Sequence, residues 1–247
     1  MLTSNFNIIP PVIAHRGASA YAPENTMPAF LKAKQLGAKW LEFDVQLTKD
    51  NELVIFHDDE LDRTSNGSGY LWEHTLAELK ALDVGRWYTK DFAGTKILTL
   101  SEVLSFLQKE NMAANIEIKA REGDEKFMAE KVVPLIQNFF NQNPFPFLVS
   151  SFNPTALSAI RKLTLDFPLG TLMDQWHPEW QMICESLNCI SVNVNHEILT
   201  RERCQEIIRT NRRLLAYTVN EVDRAHELFS WGVHAVFSDC PDKILLV

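Results

Sequence analysis

Eight short apolar runs organise the chain. Each ends in polar or small residues and is followed by a stretch with apolar residues at helical spacing. The runs are Val12–His15, Trp40–Val45, Ala114–Ile118, Phe147–Ser151, Leu169–Met173, Ile190–Val194, Leu214–Val219 and Ala235–Ser238. Helical patterns begin near Asn25, Ser101, Glu125, Pro154, Pro178, Thr200, Glu221 and Pro241, several of them on the Ser, Thr or Pro that helix starts favour. This alternation predicts parallel strands joined by right-handed crossovers. Eight repeats within 247 residues match the size of a TIM (β/α)8 barrel, read as one domain over residues 1–247. An open doubly wound sheet gives the same alternation, because periodicity does not show closure.

A ninth extended run, Leu53–His57, stands outside the alternation. The turn signal Asp50-Asn51 lies midway between Asp44 and His57, so Val45–Lys49 and Glu52–Phe56 are expected to pair as an antiparallel hairpin. Folding back there returns His57 near Asp44, at the same barrel end. Residues 58–99, rich in Asp, Gly, Ser and Thr, then make a small insertion after strand two. Insertions of this length are commonly lids or small subdomains.

On the second strand Glu42 and Asp44 share one face while Leu41, Phe43 and Val45 share the other. Glu117 and Lys119 repeat the arrangement around Ile116 and Ile118. Three inward acids near strand ends are costly unless neutralised, and an all-oxygen ligand set suits Mg²⁺ or Ca²⁺. Direct neutralisation by Arg16 and Lys119 is the other solution. His15-Arg16 closes the first strand just before a helix start, where a cation needs an internal acid or an anionic ligand. His15 and His57 are candidate proton-transfer groups, since imidazole titrates near neutrality. Histidines 74, 177, 196, 226 and 234 lack a comparable strand-end setting and read as local hydrogen-bonding residues.

A formal net charge of -8 disfavours a broad electrostatic grip on nucleic acid or anionic membrane, so any anion must be held locally. Residues 1 to 11 contain no Lys or Arg, and Pro10-Pro11 interrupts the run from Ile8 to Ile13. Neither a signal peptide nor a spanning helix is expected there, and a cytoplasmic location is the simplest reading. Cys184, Cys189, Cys204 and Cys240 lack metal-type spacing and read as reduced buried thiols. Charge alone fits a monomer or a homodimer equally.

Taken together, the residues resemble the glycerophosphodiester phosphodiesterases, specifically the cytoplasmic bacterial type. The resemblance runs through His15-Arg16-Gly17, Pro23-Glu24-Asn25-Thr26, Glu42-Phe43-Asp44, Thr48-Lys49-Asp50, His57-Asp58, Leu61-Asp62-Arg63-Thr64, Ile116-Glu117-Ile118-Lys119, Ser150-Ser151-Phe152 and Tyr217-Thr218-Val219-Asn220. It implies a TIM barrel with a metal site at Glu42, Asp44 and Glu117. It also implies catalytic His15 and His57, with Arg16 and Lys119 on the phosphate. The implied reaction is hydrolysis of a small-molecule glycerophosphodiester, such as glycerophosphocholine or glycerophosphoethanolamine, to glycerol 3-phosphate and an alcohol. Phe152, Trp176 and Tyr217 stand at or beyond strand ends and, with Trp87 from the insertion, are candidates for the alcohol side of the pocket. The segment Gly232 to Asp239 departs from the family pattern at His234-Ala235 and Ser238, which leaves Asp239 aside as a site residue. Two other classes use some of the same residues: a glycosidase with Glu42 and Glu117 as its carboxylate pair, and a barrel that binds phosphorylated metabolites without turnover.

Overall fold

The computed structural model describes residues 9–246. The expected absence of a signal peptide rests mostly on residues 1 to 8, which lie outside the described residues. In chain order the regular elements are β1 (Val12–Ala14), α1 (Met27–Gln35), β2 (Trp40–Leu47), β3 (Leu53–Ile55), α2 (Leu76–Ala81), β4 (Leu98–Thr99), α3 (Leu100–Glu110), β5 (Ala113–Ile118), α4 (Glu125–Gln142), β6 (Phe147–Ser151), α5 (Pro154–Leu163), β7 (Leu169–Met173), α6 (Trp180–Ser186), β8 (Ser191–Asn195), α7 (Arg201–Ile208), β9 (Arg213–Tyr217), α8 (Val222–Ser230), β10 (Ala235–Ser238) and α9 (Pro241–Ile244).

Eight of the strands form a closed parallel barrel in the order β1, β2, β5, β6, β7, β8, β9, β10. Closure is made by Ala14 against Leu41 on one side of β1 and by Val12 to Ala14 against Val236 to Ser238 on the other. The open doubly wound sheet is thereby excluded. Register along β2 and β5 sets Asp44 opposite Glu117, so two expected ligands meet without any loop to position them.

Side chains alternate through the barrel wall. The outward residues Phe43, Val45, Ile116 and Ile118 pack against Phe30, Val103, Leu104 and Val132 of the helices, each such burial contributing about 1.5–3 kcal/mol. Inside, Ile13, Trp40, Ala113, Leu148, Leu215, Ala235 and Phe237 form an apolar floor. Polar residues follow toward the strand ends. Asn115 Nδ2 donates to Ser150 Oγ at 2.9 Å and Ser191 Oγ to Asn193 Oδ1 at 3.0 Å. Gly170 is required here, since a Cβ on it would lie 2.3 Å from Ser191 Oγ.

Beyond the barrel, β2 continues to Leu47, and Val45, Gln46 and Leu47 pair antiparallel with Ile55, Val54 and Leu53 of β3. The hairpin therefore starts from the strand itself and is shorter on its return arm than the sequence pattern suggests. β3 also pairs with β4, a strand of two residues and too short for periodicity to reveal. The intervening chain builds its own core from Phe56, Leu61, Leu71, Leu79, Val84 and Ile97, and Thr75 with Glu78 closes a capping box on α2. Tyr88 OH donates to the Ala20 carbonyl at 2.7 Å, tying this insertion to the loop after β1. Among the described residues, no helix is long and apolar enough to cross a membrane.

Candidate active site

The chain leaves β1 through left-handed backbone at Arg16 (φ 53) and Gly17 (φ 84). A Cβ on Gly17 would fall 2.7 Å from the Ala29 carbonyl carbon, so only glycine lets this turn seat against α1. The turn aims the Arg16 N–H at Glu42 Oε2, 2.9 Å away. The Arg16 guanidinium donates to Glu24 at 2.8 Å, and its Nε stands 3.5 Å from Asp44 Oδ2. Asn25, also left-handed, donates from Nδ2 to Asp44 Oδ2 at 2.8 Å, and Thr26 caps α1.

Glu42, Asp44 and Glu117 each offer a carboxylate oxygen within 4.8 Å of the others. Lys119 Nζ lies 3.7 Å from both Asp44 and Glu117, so part of the expected direct neutralisation is present. It is incomplete. Arg16 is shared with Glu24, and Glu42 receives a backbone N–H and only a distant imidazole, His15 Nε2 at 4.0 Å. The imbalance appears in the acidities. Burial, then the charges of Asp44 and Glu117, raises Glu42 well above the ordinary carboxyl range. Burial and Asp44 push Glu117 up to about 8. Burial also acts on Asp44, but Arg16, Lys119, His57 and the Asn25 hydrogen bond outweigh it and hold the group low. Crowded carboxylates short of positive charge, with oxygen donors only, fit a hard divalent cation.

His15 Nδ1 lies 2.7 Å from Asp239 Oδ1. Asn220 Nδ2 donates to Asp239 Oδ2 at 2.7 Å, and Ser19 Oγ is 2.8 Å from Oδ1. Burial favours the neutral Asp239, yet these hydrogen bonds and the His15 charge hold it well below the usual range. His57 Nδ1 lies 2.6 Å from Asp58 Oδ1. Arg63 Nε and Nη2 donate to Asp58, and Nη1 and Nη2 donate to the two Glu24 oxygens at 2.7 Å. Against the opposing effect of burial, the contacts with Arg63 and His57 lower Asp58 to about 2. An ionised carboxylate only accepts, so each imidazole carries its proton on Nδ1 and leaves Nε2 for chemistry. The position of His57 is fixed from behind: Gln46 Nε2 lies 2.8–3.1 Å from the carbonyl oxygens of Phe56, His57 and Asp58.

A cavity of about 260 Å³ collects His15, Arg16, Glu42, His57 and Glu117, with Phe152 and Tyr217 on its wall. The two aromatic rings meet edge to face at 5.9 Å. Trp176 and Trp87 do not line it. Trp176 packs on Trp180 at 6.1 Å and under the Arg203 guanidinium at 4.9 Å, facing α6 and α7, because a residue beyond a strand end can turn outward as easily as inward. Trp87 donates to the Val84 carbonyl inside the insertion. His196 Nδ1 accepts from Arg224, and His234, before β10, accepts from the Leu214 N–H. Asp239 is the clear correction: set aside on the sequence, it is the partner of His15. Asp58 and Arg63 were visible only as parts of motifs, without a role.

Fold and site together define a TIM-barrel enzyme with an acidic centre flanked by two carboxylate-oriented imidazoles. Residues 15–243 match the Glycerophosphoryl diester phosphodiesterase family. The chain is 35% identical over 239 residues to a glycerophosphodiester phosphodiesterase of Caldanaerobacter subterraneus subsp. tengcongensis, covering 95% of this chain and 96% of that one. It is 32% identical over 247 residues to a glycerophosphodiester phosphodiesterase of Bacillus subtilis, covering 93% and 83%. A solved phosphodiesterase of Oleispira antarctica, in complex with the product sn-glycerol-3-phosphate, superposes with TM-score 0.94 at 36% identity, over 98% of this chain and 97% of that one. The chain belongs to the glycerophosphoryl diester phosphodiesterase family and is a phosphoric diester hydrolase. The glycosidase reading and the reading as a binder without turnover both fall with that membership.

Proposed function

We propose that this enzyme hydrolyses glycerophosphodiesters such as glycerophosphocholine and glycerophosphoethanolamine to sn-glycerol 3-phosphate and an alcohol, with Glu42, Asp44 and Glu117 holding Mg²⁺ or Ca²⁺. The observation that carries this reading is the shared cavity: two imidazoles, each with Nδ1 on an ionised carboxylate, beside three acids short of positive charge. Held by these three acids, a divalent cation would supply positive charge against the phosphoryl oxygens. Arg16 and Lys119 flank the acids and contact the phosphate, lowering its repulsion of an incoming nucleophile. Of His15 and His57, one takes the nucleophile's proton at Nε2 and the other gives a proton to the departing alcohol oxygen. The same reading keeps the cytoplasmic location expected from the sequence.

The test is release of sn-glycerol 3-phosphate by purified protein supplied with Mg²⁺ or Ca²⁺. Activity lost with chelator and regained with cation is expected. No release from any of several head groups under cation-replete conditions would sink the substrate assignment, and full activity in chelator would sink the metal assignment.

A further inference from the structure

Beside the catalytic cavity lies a second one of about 610 Å³, and the two share Phe152 and Leu172 as a common wall. It runs over the ends of β6 and β7 and the loop into α6. Its lining includes Asp174 and Glu179 and contains no lysine or arginine, while Met173, Trp180 and Ile183 give it an apolar side. Asp174 follows directly on β7. Asn195 Nδ2 donates to its Oδ1 at 2.9 Å, and Oδ2 has no hydrogen-bond partner among the described residues. The carboxylate is thus held in place with one acceptor oxygen open to the groove. Its charge reaches the catalytic cavity as well, since it adds to the burial that raises the Tyr217 phenol.

A phosphodiester has two arms, and once the phosphate sits among Arg16, Lys119 and the acids, one arm passes Phe152. We propose that the groove receives the alcohol arm of the diester and selects alcohols bearing an ammonium group, with Asp174 as the principal contact; this rests on the phosphodiesterase reading above. A carboxylate with no lysine or arginine in the same lining, and only His177 as a further basic group, attracts an ammonium. The apolar wall suits its methylene or methyl groups, and the exposed face of Phe152 adds a cation–π contact. A neutral alcohol gains nothing from Asp174, and an anionic one is repelled.

The test compares kcat/KM for glycerophosphocholine and glycerophosphoethanolamine with that for glycerophosphoglycerol, in cation-replete wild type and in Asp174→Asn, whose amide oxygen still accepts from Asn195. The ratio of ammonium to neutral substrate is expected to exceed one in the wild type and to fall about fivefold in the variant, the scale of a partly exposed ion pair. Asp174→Lys should push the ratio further down. A ratio unchanged in both variants, or a wild type without preference for ammonium alcohols, overturns the assignment of the groove. A wild type that hydrolyses none of the three overturns the parent reading instead.

Discussion

The two imidazoles are held by different kinds of structure. His15 leans on Asp239, which is fixed by the neutral donors Asn220 and Ser19 and belongs to the barrel, where β10 closes on β1. His57 leans on Asp58, which is fixed by Arg63 of the insertion, and Arg63 in turn grips Glu24, the partner of Arg16. One orientation is set by part-buried hydrogen bonds from neutral donors, just past the ends of paired strands. The other is set by an ion-pair chain whose central arginine has a side chain 47% exposed. The difference teaches that the barrel supplies one half of the proposed acid–base pair ready-made, while the second half depends on an element added to it.

The comparison breaks most severely if either imidazole is removed. His15→Ala and His57→Ala should each lower kcat by about a hundredfold to ten-thousandfold, with the double variant little worse than the poorer single one. Strict multiplication of the two losses would show that the histidines act independently. Next in size are the carboxylates behind them. Asp239→Asn should cost about a hundredfold in kcat, because an amide cannot accept from His15, Asn220 and Ser19 together. Asp58→Asn should cost about tenfold, since Gln46 still fixes the His57 backbone. Equal losses would mean that the two supports are equivalent after all.

A smaller effect separates the halves by their sensitivity to salt. Arg63→Ala should lower kcat about three- to tenfold at low ionic strength, and the gap from wild type should narrow as salt rises to ~0.5 M, because exposed ion pairs are screened. Arg63→Lys should recover only part of the loss, lacking the fork that spans Glu24 and Asp58. Steady-state kinetics across a salt series read both effects, and a gap that stays constant would argue that Arg63 acts through folding alone.

Much of this was legible along the chain, for identifiable reasons. Period-two alternation put Glu42 with Asp44 and Glu117 with Lys119 on inner faces, and Asp50-Asn51 returned His57 toward Asp44, because such relations span few residues. Asp239 was missed since its partner lies 224 positions away, and only closure of the barrel brings them together. The reach of Arg63 to Glu24 is hidden in the same way, as it depends on how the insertion folds over the loop after β1. Trp176 failed for a complementary reason: position beyond a strand end says nothing about which way the side chain turns.

The three acids lie between the two halves, and their strain gives the smallest effect to measure. Glu117 is raised to about 8 in the folded protein, against an ordinary value of 4.5. Between those values the folded state holds a proton that the unfolded chain has released, so without bound cation stability should fall as pH rises from about 4.5 to about 8. Glu117→Gln removes that slope. In chelator the variant's melting temperature should therefore gain on wild type toward pH 8, by about 2–5 °C. Saturating Mg²⁺ or Ca²⁺ should reverse the sign, because a cation that binds the folded acids stabilises the wild type and binds the variant less well. Thermal melts of both proteins at several pH values, with and without cation, give the comparison directly. If the difference between them is flat with pH and indifferent to cation, Glu117 is neutralised by Lys119 alone, and the acids serve the barrel rather than a metal ion.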